Sequence, residues 1–568
     1  MAVECHAFYM DQRRDTIAAR ARRAAIACSA ALAITVVMTW PLAQGLGRLG
    51  RTTTMDGLYS IWNVAWVAHA LVSDPLDLFD ANIFYPHRDT LAYSESNIVA
   101  GIVAIPAWLL THNAYAAHNT AVLFAFTSTL LATWLLARRL TGNSAAAAAA
   151  AVLFAFCPYF FSHTPHIQLL MAGGIPLSML ALHRLVDDPS PGRGVALGGA
   201  LAVQALACAY YGIFAGLMIG YGVVFFAVSR QRWRAPRYWT SVAIAAVIAW
   251  TIVLPFFLPY LELRRSGEFG RLLDEARRYS ATWPSYLVSS AHAHRPLLAL
   301  ARSLGWRTSE VLLPGILAIV LGTAGVALSL RRKADDPRQR GDRETVLLYG
   351  SIGALAFWGS FGPAAGLYTL LYRTVPLLAF LRAPSRFGLL VPFVLAVFSA
   401  LALRRAPAFA GKRTALAAMA VAMLAVAELN LAPFPWERAM PVSRSYEVLA
   451  GMPRGVVAEF PFYGERIAYP LHAQYMVLAT THWMPLVNGY SDYIPADFRE
   501  IAFVLDSFPS SDTFAILQKH RVRYIGVHWD MYGPRAEEVR RNLEGFAQYL
   551  RPLSSDAQMS LYEIVSFP

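Results

Sequence analysis

Acidic, histidine and arginine side chains cluster in three stretches that separate long apolar runs. Asp56 stands in TTTMDGLYSIW. A carboxylate there, screened from water by neighbouring helices, can take a proton from a hydroxyl as a general base. It equally suits the N-cap of a helix that begins at Gly57. Asp89 and Glu95, in FYPHRDTLAYSE, offer acidic groups to position a bound hydroxyl or hold a metal; they also read as loop polar groups and a helix cap. His163 and His166, in SHTPHIQ, are three apart with Gln168 close behind. Imidazoles so spaced serve as ligands or as hydrogen-bond donors to phosphate. Pro165 between them and the lack of a third ligand weigh against a metal. Arg382 and Arg386 flank a proline in FLRAPSRF. Their planar forks suit a phosphate or pyrophosphate, while arginine at a helix end also snorkels to lipid headgroups. Arg264 and Arg265 fit snorkelling, and Tyr210 and Tyr211 fit packing at the membrane interface.

The elements that must position these groups are membrane helices. Of 568 residues, 56% are hydrophobic and 15% charged, with a mean hydropathy of +0.41, off the balance of a soluble domain. The net charge of +13 falls in short clusters between apolar runs and not in one patch, which excludes a nucleic-acid partner. The four cysteines, Cys5, Cys28, Cys157 and Cys208, build neither a disulfide framework nor a CxxC zinc site. No Walker A loop, GxGxxG fingerprint or HExxH site occurs in a usable context.

Apolar runs at roughly 24–43, 116–137, 145–161, 168–186, 195–211, 213–229, 239–259, 310–330, 345–361, 386–403 and 414–432 predict about eleven spanning helices. The first lacks a small-x-small cleavage site and is read as an uncleaved span, not a signal peptide. The run 98–112 is too short to span and is read as re-entrant or interfacial. Basic clusters fall in alternate connections: Arg138 and Arg139; Arg184 and Arg193; Arg230, Arg232, Arg234 and Arg237; Arg331, Arg332, Lys333, Arg338, Arg340 and Arg343; Arg404, Arg405, Lys412 and Arg413. The positive-inside rule makes these and the basic N-terminus, 1–23, cytoplasmic. The loop 44–115, the turn 160–168, the break near Gly212, the connections 260–309 and 362–385, and everything after 432 then face outward.

Within the first outer loop, Trp62, Trp66 and His69 recur at helical spacing and predict a helix in the membrane interface. From about Pro433 hydropathy falls. GVVAEFPF, RVRYIGVH and MSLYEIV read as strands between helical stretches, so 433–568 is expected to be an extracytoplasmic α/β domain. The alanine run Ala145–Ala151 predicts close helix packing.

A long first outer loop with an acidic residue soon after the first span, here in Asp56-Gly57-Leu58-Tyr59, together with interfacial helices and an outer C-terminal domain, resembles the GT-C superfamily of membrane glycosyltransferases. The resemblance covers roughly 24–432. The family often has two adjacent acidic residues, whereas Gly57 follows Asp56 here. PLDLFDANIFYPHRDTLAYSE, HTPHIQLL and HWMPLVNGYSDY also resemble stretches of a group of bacterial membrane proteins placed near these transferases. The resemblance implies a multi-pass protein of the cytoplasmic membrane that moves a sugar from a polyprenyl-phosphate donor to a glycan, lipid or protein acceptor. It makes Asp56 the base. Arg382 and Arg386 would hold the leaving phosphate, His163, His166 and Gln168 would line the cleft, and Asp89 and Glu95 would bind substrate. It makes no cofactor certain and leaves a divalent metal open. The competing reading is a non-enzymatic transporter or scaffold in envelope glycan assembly. Transporters usually carry ionisable residues within their spans, and Glu428 is the main example here.

Overall fold

The computed structural model describes residues 2–265, 273–306, 310–331, 337–409, 411 and 413–568. Arg332, Lys333 and Lys412 of the basic clusters, and 266–272 and 307–309 of the connection 260–309, lie outside the described residues. The chain is mainly helical. Among the described residues, six helices are long and apolar enough to cross a membrane: Ala21–Met38, Ala114–Thr141, Ser144–Ser162, Ala209–Ser229, Pro236–Arg265 and Pro384–Arg405. The other predicted spans fall on shorter or partly polar helices, Gly174–Asp187, Pro191–Ala207, Ile316–Leu330, Pro337–Ser360 and Thr414–Leu429. The run 98–112 forms the helix Ile98–Thr111. Its 14 residues extend about 21 Å at the α-helical rise, too short for a hydrocarbon core of about 30 Å.

Local chemistry sets the helix ends. Asn113 opens Ala114–Thr141 by accepting from the Ala116 N–H at 2.9 Å, and Gly142, at φ 68°, closes it in the left-handed conformation glycine permits. Asn143 then caps Ser144–Ala155, accepting from the Ala145 and Ala146 N–H groups. In the alanine run, Ala146, Ala147, Ala149 and Ala150 are fully buried, packed against Ala400, Leu403 and Phe409. Helices Pro191–Ala207 and Pro236–Arg265 approach still more closely. A Cβ on Gly194 or Gly198 would lie 2.5 Å from the carbonyl oxygen of Ser241 or Ala245, the small-xxx-small contact of membrane helices.

The 28 residues of Ala114–Thr141 hold the two ends of the bundle about 42 Å apart. At one end the basic clusters meet acids. Arg230 bridges Asp187 and Glu344, each at 2.7 Å; Arg139 also reaches Asp187, and Arg404 and Arg405 share Asp342. Asp56, His166 and Arg382 gather at the other end, where Asn113 also lies, bonded to the Gly47 carbonyl. Glu428 has a structural place. It pairs with His294 at 3.0 Å and accepts the N–H groups of Ile316 and Leu317, so it satisfies the open N-terminus of Ile316–Leu330 and not a transport path.

The C-terminal part is tied to the first outer loop. Strand β1 (Leu49–Gly50) pairs antiparallel with β2 (Glu437–Arg438). Beyond them β3 (Val456–Phe460), β4 (Val522–His528), β5 (Leu550–Ser555) and β6 (Met559–Ile564) form a sheet in the order β3-β4-β6-β5, with β3 and β4 parallel and the other pairs antiparallel. Segment 485–488 binds β3 through the Val457 and Val487 N–H groups. Its other side takes the loop: the Phe84 N–H reaches the Asn488 carbonyl at 3.1 Å, Tyr85 reaches Leu486 at 2.8 Å, and Leu486 reaches Asn82 at 3.0 Å. This seam corrects the interfacial reading of the Trp62 helix, Met55–Ser73. Trp62 and Trp66 are buried, their indole N–H groups donating to Asn82 and to the Leu78 carbonyl, and His69 stacks on Trp483 at 4.5 Å. Their polar tips are satisfied inside the protein, so these rings do not present a headgroup-facing belt.

The separation of the two ends sets a labelling pattern. In a background without the native cysteines, Gly192→Cys, at an open position beside the basic end, should resist an impermeant thiol reagent applied from outside. Ser511→Cys, exposed in the C-terminal part, should react. The reverse pattern would invert the topology.

Candidate functional site

A cleft of about 1300 Å³ of open space lies at the end of the bundle opposite the basic clusters. Its polar wall carries Asp56, Glu95, His166, Gln168, Arg382 and Arg386, and its apolar wall is built mainly from Ile213, Val253, Phe256, Phe257 and Phe380. Most of the apolar wall belongs to helices Ala209–Ser229 and Pro236–Arg265.

Asp56 is not the helix N-cap. Thr54 holds that position, and Asp56 lies in the first turn with its carboxylate free of capping bonds. The carboxylate turns into the cleft, where the Tyr490 hydroxyl donates to Oδ1 at 3.0 Å and His166 Nε2 stands 3.4 Å from Oδ2. The hydrogen bond from His166 holds the carboxyl below its ordinary 3.8, and Tyr490 and the charge of Arg382 add to it against the opposing effect of burial. The helix N-terminus favours the same ionised state. A charged acceptor therefore faces the cleft at neutral pH.

The two arginines differ. Arg382 is ion-paired to Asp492 at 2.9 Å, lies over the Tyr279 ring at 5.2 Å, and its backbone N–H donates to the Tyr210 hydroxyl. Arg386 sits 4.0 Å above the Tyr210 ring. Among the described residues, no carboxylate within ion-pair distance offsets it. Glu95 accepts the Ala209 N–H at 3.1 Å, beside the start of Ala209–Ser229. Burial pushes its carboxyl up to about 7, with Arg386 pulling the other way.

Two predicted site residues lie elsewhere. Asp89 is exposed on the surface of the protein at φ 52°, at the start of the short turn Thr90–Tyr93, its N–H held by Asp80. His163 turns away from the cleft: its Nδ1 meets the Tyr159 carbonyl at 2.8 Å and its ring stacks on Tyr159, and burial depresses its pKa so that it stays neutral. Tyr490 and Asp492 were not singled out, although they sit in the quoted stretch HWMPLVNGYSDY; no spacing signals that a segment 434 positions from Asp56 returns to it. Tyr210, read as interface packing, lies under Arg386 and takes the Arg382 backbone N–H on its hydroxyl. Among the described residues, no three His, Cys, Asp or Glu side chains gather to hold a metal ion.

No protein-family model and no curated protein sequence matches the chain. Solved structures do. The arabinofuranosyltransferase AftD from Mycobacteria superposes with a TM-score of 0.58 at 14% identity, over 96% of this chain and 42% of that one, so this chain spans less than half of that protein's length. ArnT from Cupriavidus metallidurans, in the apo state, is matched with a TM-score of 0.39 at 14% identity, over 96% of this chain and 98% of that one. The Archaeoglobus fulgidus oligosaccharyltransferase gives 0.38 at 14% identity, over 94% and 72%. At such identity the likeness to AftD speaks for the fold alone: this chain shares the fold of that solved structure.

Proposed function

We propose that this chain transfers a sugar from a polyprenyl-phosphate donor to an acceptor hydroxyl at the outer face of the cytoplasmic membrane. The observation that carries this reading is the cleft's composition: an ionised carboxylate and a guanidinium that, among the described residues, has no carboxylate at ion-pair distance share one space whose far wall is apolar. Phosphate would lie on Arg386 and on the outer edge of Arg382. The isoprenoid would run along Ile213, Val253 and Phe257 toward the lipid, since the buried residues of Pro236–Arg265, Tyr238, Ser241 and Ala245, all lie in its first half. The acceptor oxygen attacks the anomeric carbon, the carbon–oxygen bond to phosphate breaks, and the electron pair leaves on a phosphate held by the arginines. Asp56 takes the hydroxyl proton. A carboxylate this acidic does so late, once attack has made the hydroxyl acidic. His166 and Tyr490 aim it, and Glu95 and Gln168 line the sugar's side of the cleft.

The same reading has eleven spans, a cytoplasmic N-terminus with the basic end inside, and 433–568 as an outer α/β domain. It agrees with the bundle's charge distribution and with the positive-inside rule.

With purified protein in lipid and radiolabelled polyprenyl-phosphate sugar, Asp56→Asn should cut turnover by about 100-fold or more and leave donor binding in place, because the amide keeps the shape but takes no proton. Arg386→Ala should chiefly weaken donor binding, its partner being charged already in the ground state. Full turnover by Asp56→Asn would remove Asp56 as the base.

Glu95 gives a pH signature that needs no assay. Its folded-state pKa, about 7, lies above the ordinary 4.5, so the fold favours the protonated form. The stability this provides is complete below about pH 4.5 and is lost as pH rises through about 7. Thermal midpoints of the wild type should fall relative to Glu95→Gln over that window. Parallel curves would place Glu95 in a more solvated setting.

A further inference from the structure

Behind the cleft, three enclosed polar atoms lack a hydrogen-bond partner among the described residues: Nδ1 of His166, Oε2 of Glu310 and Oγ of Ser385. Glu310 is 8% exposed and Ser385 is fully buried. Glu310 lies close enough to His166, Arg386 and Tyr159 for their charges to act on one another, and the hydroxyl of Ser385, the residue before Arg386, lies beside its carboxylate just beyond hydrogen-bond distance. An enclosed carboxylate oxygen left without a partner is expensive, and each such buried polar atom calls for a partner.

We propose that Glu310 is a positioning residue for Asp56, acting through His166 by way of one buried water. The water donates one hydrogen to His166 Nδ1 and the other to Glu310 Oε2, and accepts from the Ser385 hydroxyl. Three polar partners are what a buried water usually has. With Nδ1 an acceptor, the ring proton sits on Nε2, the nitrogen that faces Asp56 at 3.4 Å. The relation is that of a carboxylate that fixes an imidazole's tautomer from behind so that its front nitrogen meets the working group. Glu310 touches neither the donor nor the acceptor. Glu310 lies next in sequence to 307–309, far from the acidic stretches of the first loop, and nothing in the pattern of the chain joins it to His166.

This inference rests on the assignment of Asp56 as the base, and the experiment separates the two. Turnover and donor KM are measured for Asp56→Asn, Glu310→Gln, Glu310→Asp, Ser385→Ala, His166→Asn and the double variant His166→Asn with Glu310→Gln. Glu310→Gln should lower kcat by about 10- to 100-fold, the usual loss when an orienting partner is removed, with donor KM unchanged. Glu310→Asp should restore part of it, and Ser385→Ala should cause a smaller loss of the same kind, which keeps the test open if Glu310→Gln fails to fold. Because Glu310 acts only through His166, adding Glu310→Gln to His166→Asn should cost nothing further. Multiplying losses in the double variant, or a kcat unmoved by Glu310→Gln and Ser385→Ala while Asp56→Asn is inactive, would overturn the inference and leave the base in place. Turnover retained by Asp56→Asn would overturn both.

Discussion

Backbone groups of Asn82, Phe84 and Tyr85 bond to Leu486 and Asn488, and the geometry of the cleft hangs on that seam. The loop 44–115 carries both Asp56 and Glu95, whereas Tyr490 and Asp492 belong to a segment that follows the last helix of the bundle. The pairing of 82–85 with 485–488, together with the Tyr493 N–H on the Tyr93 carbonyl, brings the two together. Each such hydrogen bond contributes roughly 0.5–1.5 kcal/mol net, and the buried indoles of Trp62 and Trp66 add apolar area to the same join. Asn82 is its hub: it accepts from Trp62, donates to the Met484 carbonyl, and takes the Leu486 N–H on its own carbonyl. Tyr490 then reaches Asp56, and Asp492 reaches Arg382.

What the seam assembles is an uneven distribution of charge. A bundle in lipid confines ionised groups to its ends. At the basic end, Asp187, Asp342 and Glu344 each meet arginine. In the cleft the compensation is incomplete among the described residues: Asp492 answers Arg382, while Arg386 rests on the Tyr210 ring with no carboxylate at ion-pair distance and Asp56 is held by an imidazole and a phenol. Groups held charged without full compensation, beside an apolar wall, suit a ligand that brings both an anion and a hydrocarbon.

Much of this was legible in the chain. The eleven apolar runs each fall on a helix, and Asp56, Glu95, His166, Gln168, Arg382 and Arg386 share the cleft, because charge at the ends of apolar runs has few places to go. Sequence spacing does not fix which way a loop side chain turns. His163 and His166 are three apart, yet only His166 faces the cleft, since His163 finds the Tyr159 carbonyl first. Asp89, six residues before Glu95, is drawn outward by Asp80. Strands β3, β4 and β6 follow their apolar patterns, whereas β5, which carries Pro552, shows no such pattern; it is an edge strand, where proline is tolerated. Long-range partners such as Tyr490 and Glu310 leave no periodic trace.

The central claim is that one cleft holds a lipid-linked phosphate, with the anion at Arg386 and the hydrocarbon along the apolar wall. A polyprenyl phosphate carrying a photoreactive group near its first isoprene, cross-linked in membranes and mapped by mass spectrometry, tests it most directly. Adducts should concentrate on Ile213, Val253, Phe256 and Phe257 and disappear in Arg386→Ala. Adducts spread over lipid-facing residues such as Val224 and Val247, and indifferent to Arg386→Ala, would contradict it.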